Sequence, residues 1–340
     1  MSGRPPPEGS PESDSDAHGN GTDTAVSEAD GAAVLARRRA AGRLVTAFRR
    51  HWLVYVGGVI VPLALFGVFV GYPIVRSVYL SFTDWNGLAE PEWTGLQNYR
   101  DLADDEVFRD SIVNTAKWVV GSVLFSSVLA FLAAVLLRSR RLYFGGFFRL
   151  VLFLPVTMSL VAVGLMFAFI LDPSFGAGDT ILRALGFEDV VPDLLGNSDR
   201  ALWTLIIVSG WTTLGAALIM FDAGLTQVPD ELYEAARLDG ANGWQTMRYV
   251  TLPALAPIFL VVTMLAIFTG LIAFDLILVM TAGGPGAATH TLGFYMYKTA
   301  FVETRFGYSA AIATLMLAVS VVFASVYLLR IGRNILGERN

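Results

Sequence analysis

Gly224-Leu-Thr-Gln-Val-Pro229-Asp230-Glu231-Leu232-Tyr233-Glu234-Ala235-Ala236-Arg237-Leu238-Asp239-Gly240-Ala241, followed by Asn242-Gly-Trp-Gln-Thr-Met-Arg-Tyr-Val250-Thr-Leu252-Pro253, is a charged island between two long apolar runs. The run before it, 201–221, lies uncharged between Arg200 and Asp222. The run after it, 249–274, is also uncharged and continues past Asp275 to about Met280. About 20 apolar residues suffice for a helix to cross a bilayer. The island is therefore a loop joining two membrane spans. Pro229 suits a first helical position, and Asp230 and Glu231 suit the positive end of a helix dipole. These features predict a short helix over 230–238 and a sharp turn at Asp239-Gly240. A second short helix is expected from about Gly243 to Val250 before Leu252-Pro253 leads into the next span. Ala235 and Ala236 leave a low-profile face that another protein can approach, and Glu234 can offer a carboxylate to a partner's Arg or Lys.

The same run length recurs along the chain. Uncharged stretches occupy 52–75, 118–137, 150–171 and 306–329, which with the two flanking runs makes six. The 340 residues are 54% hydrophobic and only 16% charged, with a mean hydropathy of +0.58. Soluble domains carry about 25% charged residues. Backbone amides in lipid must be bonded internally, so the runs are helices. The expected fold is all-α and integral to the membrane, with six transmembrane helices and both termini cytoplasmic. A cleaved secretory signal does not fit, because the first run is 24 residues long and begins after a 50-residue lead. The absence of cysteine excludes disulfides, thiolate metal sites and a cysteine nucleophile.

The formal net charge of −5 misleads when read over the whole chain. Seven acids against Arg4 alone give residues 1–36 a charge of −6, which leaves +1 for everything after them. That acidic Pro/Gly/Ser-rich segment is expected to be a disordered cytoplasmic tail. Residues 37–51, with Arg37, Arg38, Arg39, Arg43, Arg49 and Arg50, form a basic juxtamembrane segment, and 52–335 form the membrane domain. Arginines concentrate in 138–149 and in the C-terminal tail (Arg330, Arg333 and Arg339), so these face the cytoplasm with the N-terminal flank. Loops 81–117 and 172–200 are mainly acidic and face outside. The alternation places 223–257 inside and 281–305 outside. Trp52, Tyr72, Trp118, Trp203 and Tyr327 near span ends are expected interfacial anchors.

Glu234-Ala235-Ala236, then Gly240, then Val250-Thr251-Leu252-Pro253 resembles the EAA loop of bacterial ABC importer permeases, with Val250 in place of the usual Ile. Phe82-Thr83-Asp84-Trp85-Asn86-Gly87, Gly95-Leu96-Gln97-Asn98-Tyr99 and Phe274-Asp275 through Gly283-Gly284-Pro285 resemble segments of the carbohydrate-uptake (MalF/UgpA-like, binding-protein-dependent) branch. Thr291-Leu292 through Tyr297 and Ala300-Phe301 continue the likeness, which covers about 52–335. The resemblance implies a type I importer transmembrane domain whose loop, about 224–253, couples to a separate ATP-binding subunit. It would do so through Glu234, Ala235, Ala236, Asp239, Gly240 and Ala241. It implies two ATP-binding subunits, a second related permease, an extracytoplasmic solute-binding protein, membrane lipid around the spans, and a prokaryotic plasma-membrane location.

The chain itself has no Gly-x-x-x-x-Gly-Lys phosphate loop: its only lysines are Lys117 and Lys298. ATP and Mg belong to the partner subunits, no cofactor is expected in this chain, and it is read as a transport subunit and not an enzyme. His18, His51 and His290 are too scattered to hold a metal. The arginines flank membrane spans, so they give no basis for nucleic-acid binding. A sugar path needs hydroxyls, small residues and aromatic faces. Ser209, Gly210, Trp211, Thr212, Thr213 and Gly215 of the fourth span and Thr269, Gly270, Ala273, Phe274 and Asp275 of the fifth supply them. The same threonines and glycines also serve helix packing. A glycerol-3-phosphate-type permease is the nearest alternative. An ion-coupled transporter is the more distant one, and it would need carboxylates near the bilayer midplane.

Overall fold

The computed structural model describes residue 52 and residues 56–138, 145–172, 176–186 and 192–329. The acidic tail, the whole basic segment, Arg140, Arg141 and the three C-terminal arginines lie outside the described residues. The chain divides after Ile74. The first unit contributes the start of one helix, and the packing described below concerns residues from Val75 onward.

Among the described residues, four helices are long and apolar enough to cross a membrane: Val56–Leu80, Glu106–Arg138, Ser198–Gln227 and Phe306–Tyr327. Two further spans are bent pairs, Gly145–Thr157 with Leu160–Ile170 and Gly243–Ala254 with Ala256–Leu271. With each pair taken as one span, the total is six.

The sequence treats the third span as one helix over 150–171. The structure bends it by 112°. Pro155 sits in a tight turn of 3₁₀ helix over Leu154–Thr157, and Met158 and Ser159 are extended. A proline removes a ladder hydrogen bond and a 3₁₀ turn is where a helix ends or hinges, so the break falls where the sequence put its one proline. The fifth span also departs from expectation. Helix persists from Gly243 through Pro253 to Ala254, turns by 70° at Leu255, resumes over Ala256–Leu271 and stops. A separate short helix, Asp275–Met280, follows the gap at 272–274.

The second span starts well outside its apolar run. Asp105 caps it, accepting from the amides of Val107 at 2.8 Å and Phe108 at 3.2 Å. Upstream, Thr83–Asp84 and Glu92–Trp93 pair antiparallel, and a helix follows over Gln97–Asp104. The expected outer loop 81–117 is thus largely ordered structure.

The core packs the fourth span against the second and fifth. Phe221 is fully buried between Phe131 and Phe259, with ring centroids 5.6 and 4.6 Å away. Lipid tails are as apolar as these rings, so close packing and not water exclusion holds the helices together. Two expected anchors belong to this interior. Trp118 is buried in the packing of the second, third and fourth spans. Tyr327 is buried with its hydroxyl donating to Leu260 O at 3.1 Å. Both sit near span ends in sequence, but they lie on inward helix faces. Trp52, Tyr72 and Trp203 are exposed.

Candidate functional site

Two cavities lie between the fourth and fifth spans, and the smaller reaches the break in the fifth. The larger, about 340 Å³, is lined by Ser126, Pro155, Met158, Thr212, Thr213 and Thr269 among others. The smaller, about 200 Å³, takes Trp118, Ser122, Ser209, Thr213, Thr269 and the break residues Ala273, Phe274 and Asp275. Thr213 and Thr269 line both. Their hydroxyls turn back into their own helices: Thr213 Oγ1 donates to Ser209 O at 3.1 Å and Thr269 Oγ1 to Leu265 O at 3.0 Å. A hydroxyl satisfied this way spends its donor locally and keeps its oxygen as an acceptor. Asp275, exposed, opens the short helix. The gap before it is held open from outside, where Thr291 Oγ1 donates to Ala273 O at 2.7 Å. Irregular backbone within a membrane protein is tolerated where it lines a cavity or finds such partners.

The structure gathers Ser209, Thr212, Thr213, Thr269, Ala273, Phe274 and Asp275 around these cavities. The other candidates take packing positions. Trp211 meets Phe167 edge-on at 5.6 Å and joins the apolar core. Gly215 lies against the Leu152 carbonyl so closely that a Cβ would collide with it. Gly210 faces the Phe125 ring, and a Cβ on Gly270 would come 3.0 Å from Val119 Cα. Sequence reasoning missed the second-span contribution. Ser122 and Ser126 lie four apart, on one helix face, and that spacing was the available signal.

The inner loop folds largely as its residues dictate. The helix Asp230–Leu238 has the acids in its first turn and Arg237 in its last. Gly240, at φ +75°, ends it, with Ala241 N reaching back to Ala236 O at 2.9 Å. That left-handed turn is the usual glycine stop of a helix. Asn242 and Gln245 then cap the next helix reciprocally. Nothing on Asp230–Leu238 is buried. Glu234, Ala235, Asp239 and Gly240 are exposed, and Leu238 and Trp244 stand 89% and 71% exposed.

On the outer side, Asp105 also accepts from the phenols of Tyr295 and Tyr308, the latter at 2.5 Å. Burial alone would raise the Asp105 carboxyl. The two phenols and the two cap amides outweigh it and hold the group below the ordinary carboxylate value. Asn114 Nδ2 donates to Ala288 O and His290 O, each at 3.0 Å. His290 is 2% exposed, and its Nδ1 has no partner. Burial, and secondarily the charge of Lys298, lowers its pKa to about 4.

A model of the family described as binding-protein-dependent transport system inner membrane component matches residues 126–334. The probable ABC transporter permease protein YurN of Bacillus subtilis is 34% identical over 78% of this chain and 91% of its own length. The probable starch degradation products transport system permease protein AmyD of Thermoanaerobacterium thermosulfurigenes is 32% identical over 75% of this chain and 85% of its length. A chain in the crystal structure of a bacterial alginate ABC transporter, in complex with an alginate pentasaccharide-bound periplasmic protein, superposes with a TM-score of 0.71. That likeness covers 85% of this chain and 97% of the other at 22% identity. The family model and these relatives carry one conclusion: the chain belongs to the binding-protein-dependent transport system inner membrane component family, as a permease subunit of the plasma membrane.

Proposed function

We propose that this permease forms half of the translocation path of an ATP-driven carbohydrate importer. A second related permease would supply the other half. Two ATP-binding subunits would engage the helix Asp230–Leu238, and an extracytoplasmic solute-binding protein would deliver the sugar. The carbohydrate assignment draws on the starch-product and alginate relatives named above, and the delivery step on the periplasmic protein bound in the alginate complex. The observation that carries the coupling assignment is the helix with no buried side chain: Glu234 and the small Ala235 lie open beneath the spans.

In this reading Glu234 makes a charged contact with the ATP-binding subunit, while Ala235 and Ala236 permit close approach. Asp239, Gly240 and Ala241 form the turn that sets the helix angle. Closure of the ATP-binding subunits on ATP would shift this helix. The spans packed behind it would then rock between inward- and outward-facing arrangements. Thr212, Thr213, Thr269 and Asp275 would meet the sugar at the break of the fifth span.

The test is Glu234→Lys in the full importer reconstituted into proteoliposomes. Uptake should fall about 30-fold or more, as expected for reversing one partner of a charged contact, while the permease still inserts and melts normally. Normal uptake would sink the coupling assignment. Uptake by the permease without ATP-binding subunits would favour an ion-coupled transporter.

A further inference from the structure

A chain of aromatic rings connects the outer surface to the broken fifth span. Trp85 lies 5.4 Å from Phe306, Phe306 5.7 Å from Phe301, Phe301 5.2 Å from Tyr297, and Tyr297 4.9 Å from Phe274. All five rings line one cleft of about 450 Å³. Phe274 also lines the small cavity at the break. The cleft therefore leads from the outer loop to the hydroxyl-bearing cavities of the pathway.

The outer end of this row is built to stay rigid. Trp85 Nε1 donates to Ala89 O at 2.7 Å, and Asn86 Oδ1 accepts the amides of Leu88 and Ala89 at 3.1 Å each. Trp85 O accepts from Gly307 N at 3.1 Å, which ties the loop to the start of the sixth span. Gly87 sits so close to the Phe306 ring that an added Cβ would come within 2.6 Å of it. The inner end is equally fixed: Ser309 Oγ donates to Met296 O at 2.7 Å behind Tyr297. Phe301, by contrast, presents its ring outward, 66% exposed.

Aromatic rings in series suit one ligand chemistry that must move. An aromatic face meets the C–H side of a pyranose without directional hydrogen bonds, so a series of such rings along a cleft gives a saccharide no single deep energy well. We propose that Trp85, Phe306, Phe301, Tyr297 and Phe274 form an entry track for linear oligosaccharides, which feeds the cavities at the fifth-span break. The proposal rests on the carbohydrate reading above and adds to it a preference for chain length: longer saccharides span more rings.

The test uses the full importer in proteoliposomes with a linear series from disaccharide to hexasaccharide. Phe301→Leu and Tyr297→Leu should each raise KM about threefold to tenfold for the longest sugars, the scale expected for one lost ring contact. The effect on the disaccharide should be small, kcat should change little, and Phe301→Tyr should restore KM. A KM that is unchanged at every length overturns the track. So does a uniform loss that Phe301→Tyr fails to rescue. Reduced co-purification of the second permease with Phe301→Leu would make the cleft a subunit interface instead. A KM shift that follows the acyl length of the lipid and not the length of the sugar would make it a lipid site. If the native importer moves none of these sugars, the carbohydrate reading falls first and the track with it.

Discussion

The inner loop and the outer segment 281–297 flank the same fifth span yet are held in opposite ways. The inner helix Asp230–Leu238 buries no side chain, and apart from the Tyr233 hydroxyl meeting Thr251 Oγ1 at 3.4 Å its devices are local: an acidic first turn, a glycine stop and a reciprocal Asn242–Gln245 cap. The outer segment buries Thr289, His290 and Thr291 almost completely. Its bonds come from far along the chain. Asn114 holds Ala288 and His290, Thr115 Oγ1 accepts from Leu292 N at 2.9 Å, and Asp105 holds Tyr295 and Tyr308. One loop keeps its shape with nothing packed upon it. The other is a finished part of the fold. A surface that is preorganised and left bare is suited to a partner, because little ordering cost remains when one binds.

The largest test of this contrast is Asp105→Ala. It removes a helix cap and leaves two phenols without their acceptor. Loss of a cap and stranding of partly buried donors together cost about 2–4 kcal/mol. Thermal melting of the purified permease should show that loss, with Tyr295→Phe and Tyr308→Phe each giving a smaller one. If Asp105→Ala melts like the native protein, the outer segment is not held as described.

The inner loop was legible in sequence because the devices that start and stop its helix are local. Pro229, the paired acids and Gly240 each act within a few residues, so the helix 230–238 and its stop can be read directly. The count of spans was legible for a similar reason, since lipid imposes one length on every crossing helix. The outer staple was not legible. Asn114 and His290 are 176 positions apart, and nothing local marks Asp105 as more than one of several acids. The break in the third span was foreshadowed by Pro155, but the fifth-span gap at 272–274 has no proline or glycine to announce it. It depends on Thr291 reaching Ala273 O, another long-range contact. Of the candidate path residues, the hydroxyls fell at the cavities. Trp211, Gly215 and Gly270 went to packing, because a membrane helix needs small and large residues for contact as much as for a ligand.

His290 offers a test of intermediate size. Its folded pKa of about 4 lies below its ordinary 6.5, so between these values the unfolded chain binds the extra proton. Stability should be full above pH 6.5, decline as pH falls toward 4, and gain no further slope from this residue below that. His290→Phe keeps an aromatic ring against Phe294 and Tyr295 and removes the titration. Its melting temperature should therefore lose the part of the pH dependence between 6.5 and 4 that the native protein shows. Identical pH profiles for the two proteins would mean that water reaches the imidazole and that the outer segment is looser than its burial implies.

The smallest expected effect on the fold is the most informative about the inner loop. Leu238 is 89% exposed at the end of the inner helix, beside the Asp239-Gly240 turn. Leu238→Ser removes no buried contact, so the stability of the permease should stay within about 0.5 kcal/mol of native. If the helix is a docking face, the same change should weaken association with the ATP-binding subunits about fivefold, the scale of one lost interface anchor. The two measurements pull apart only if the loop is shaped for a partner. A substitution that lowered the melting temperature without changing assembly would place Leu238 in the fold itself and erase the difference between the two loops.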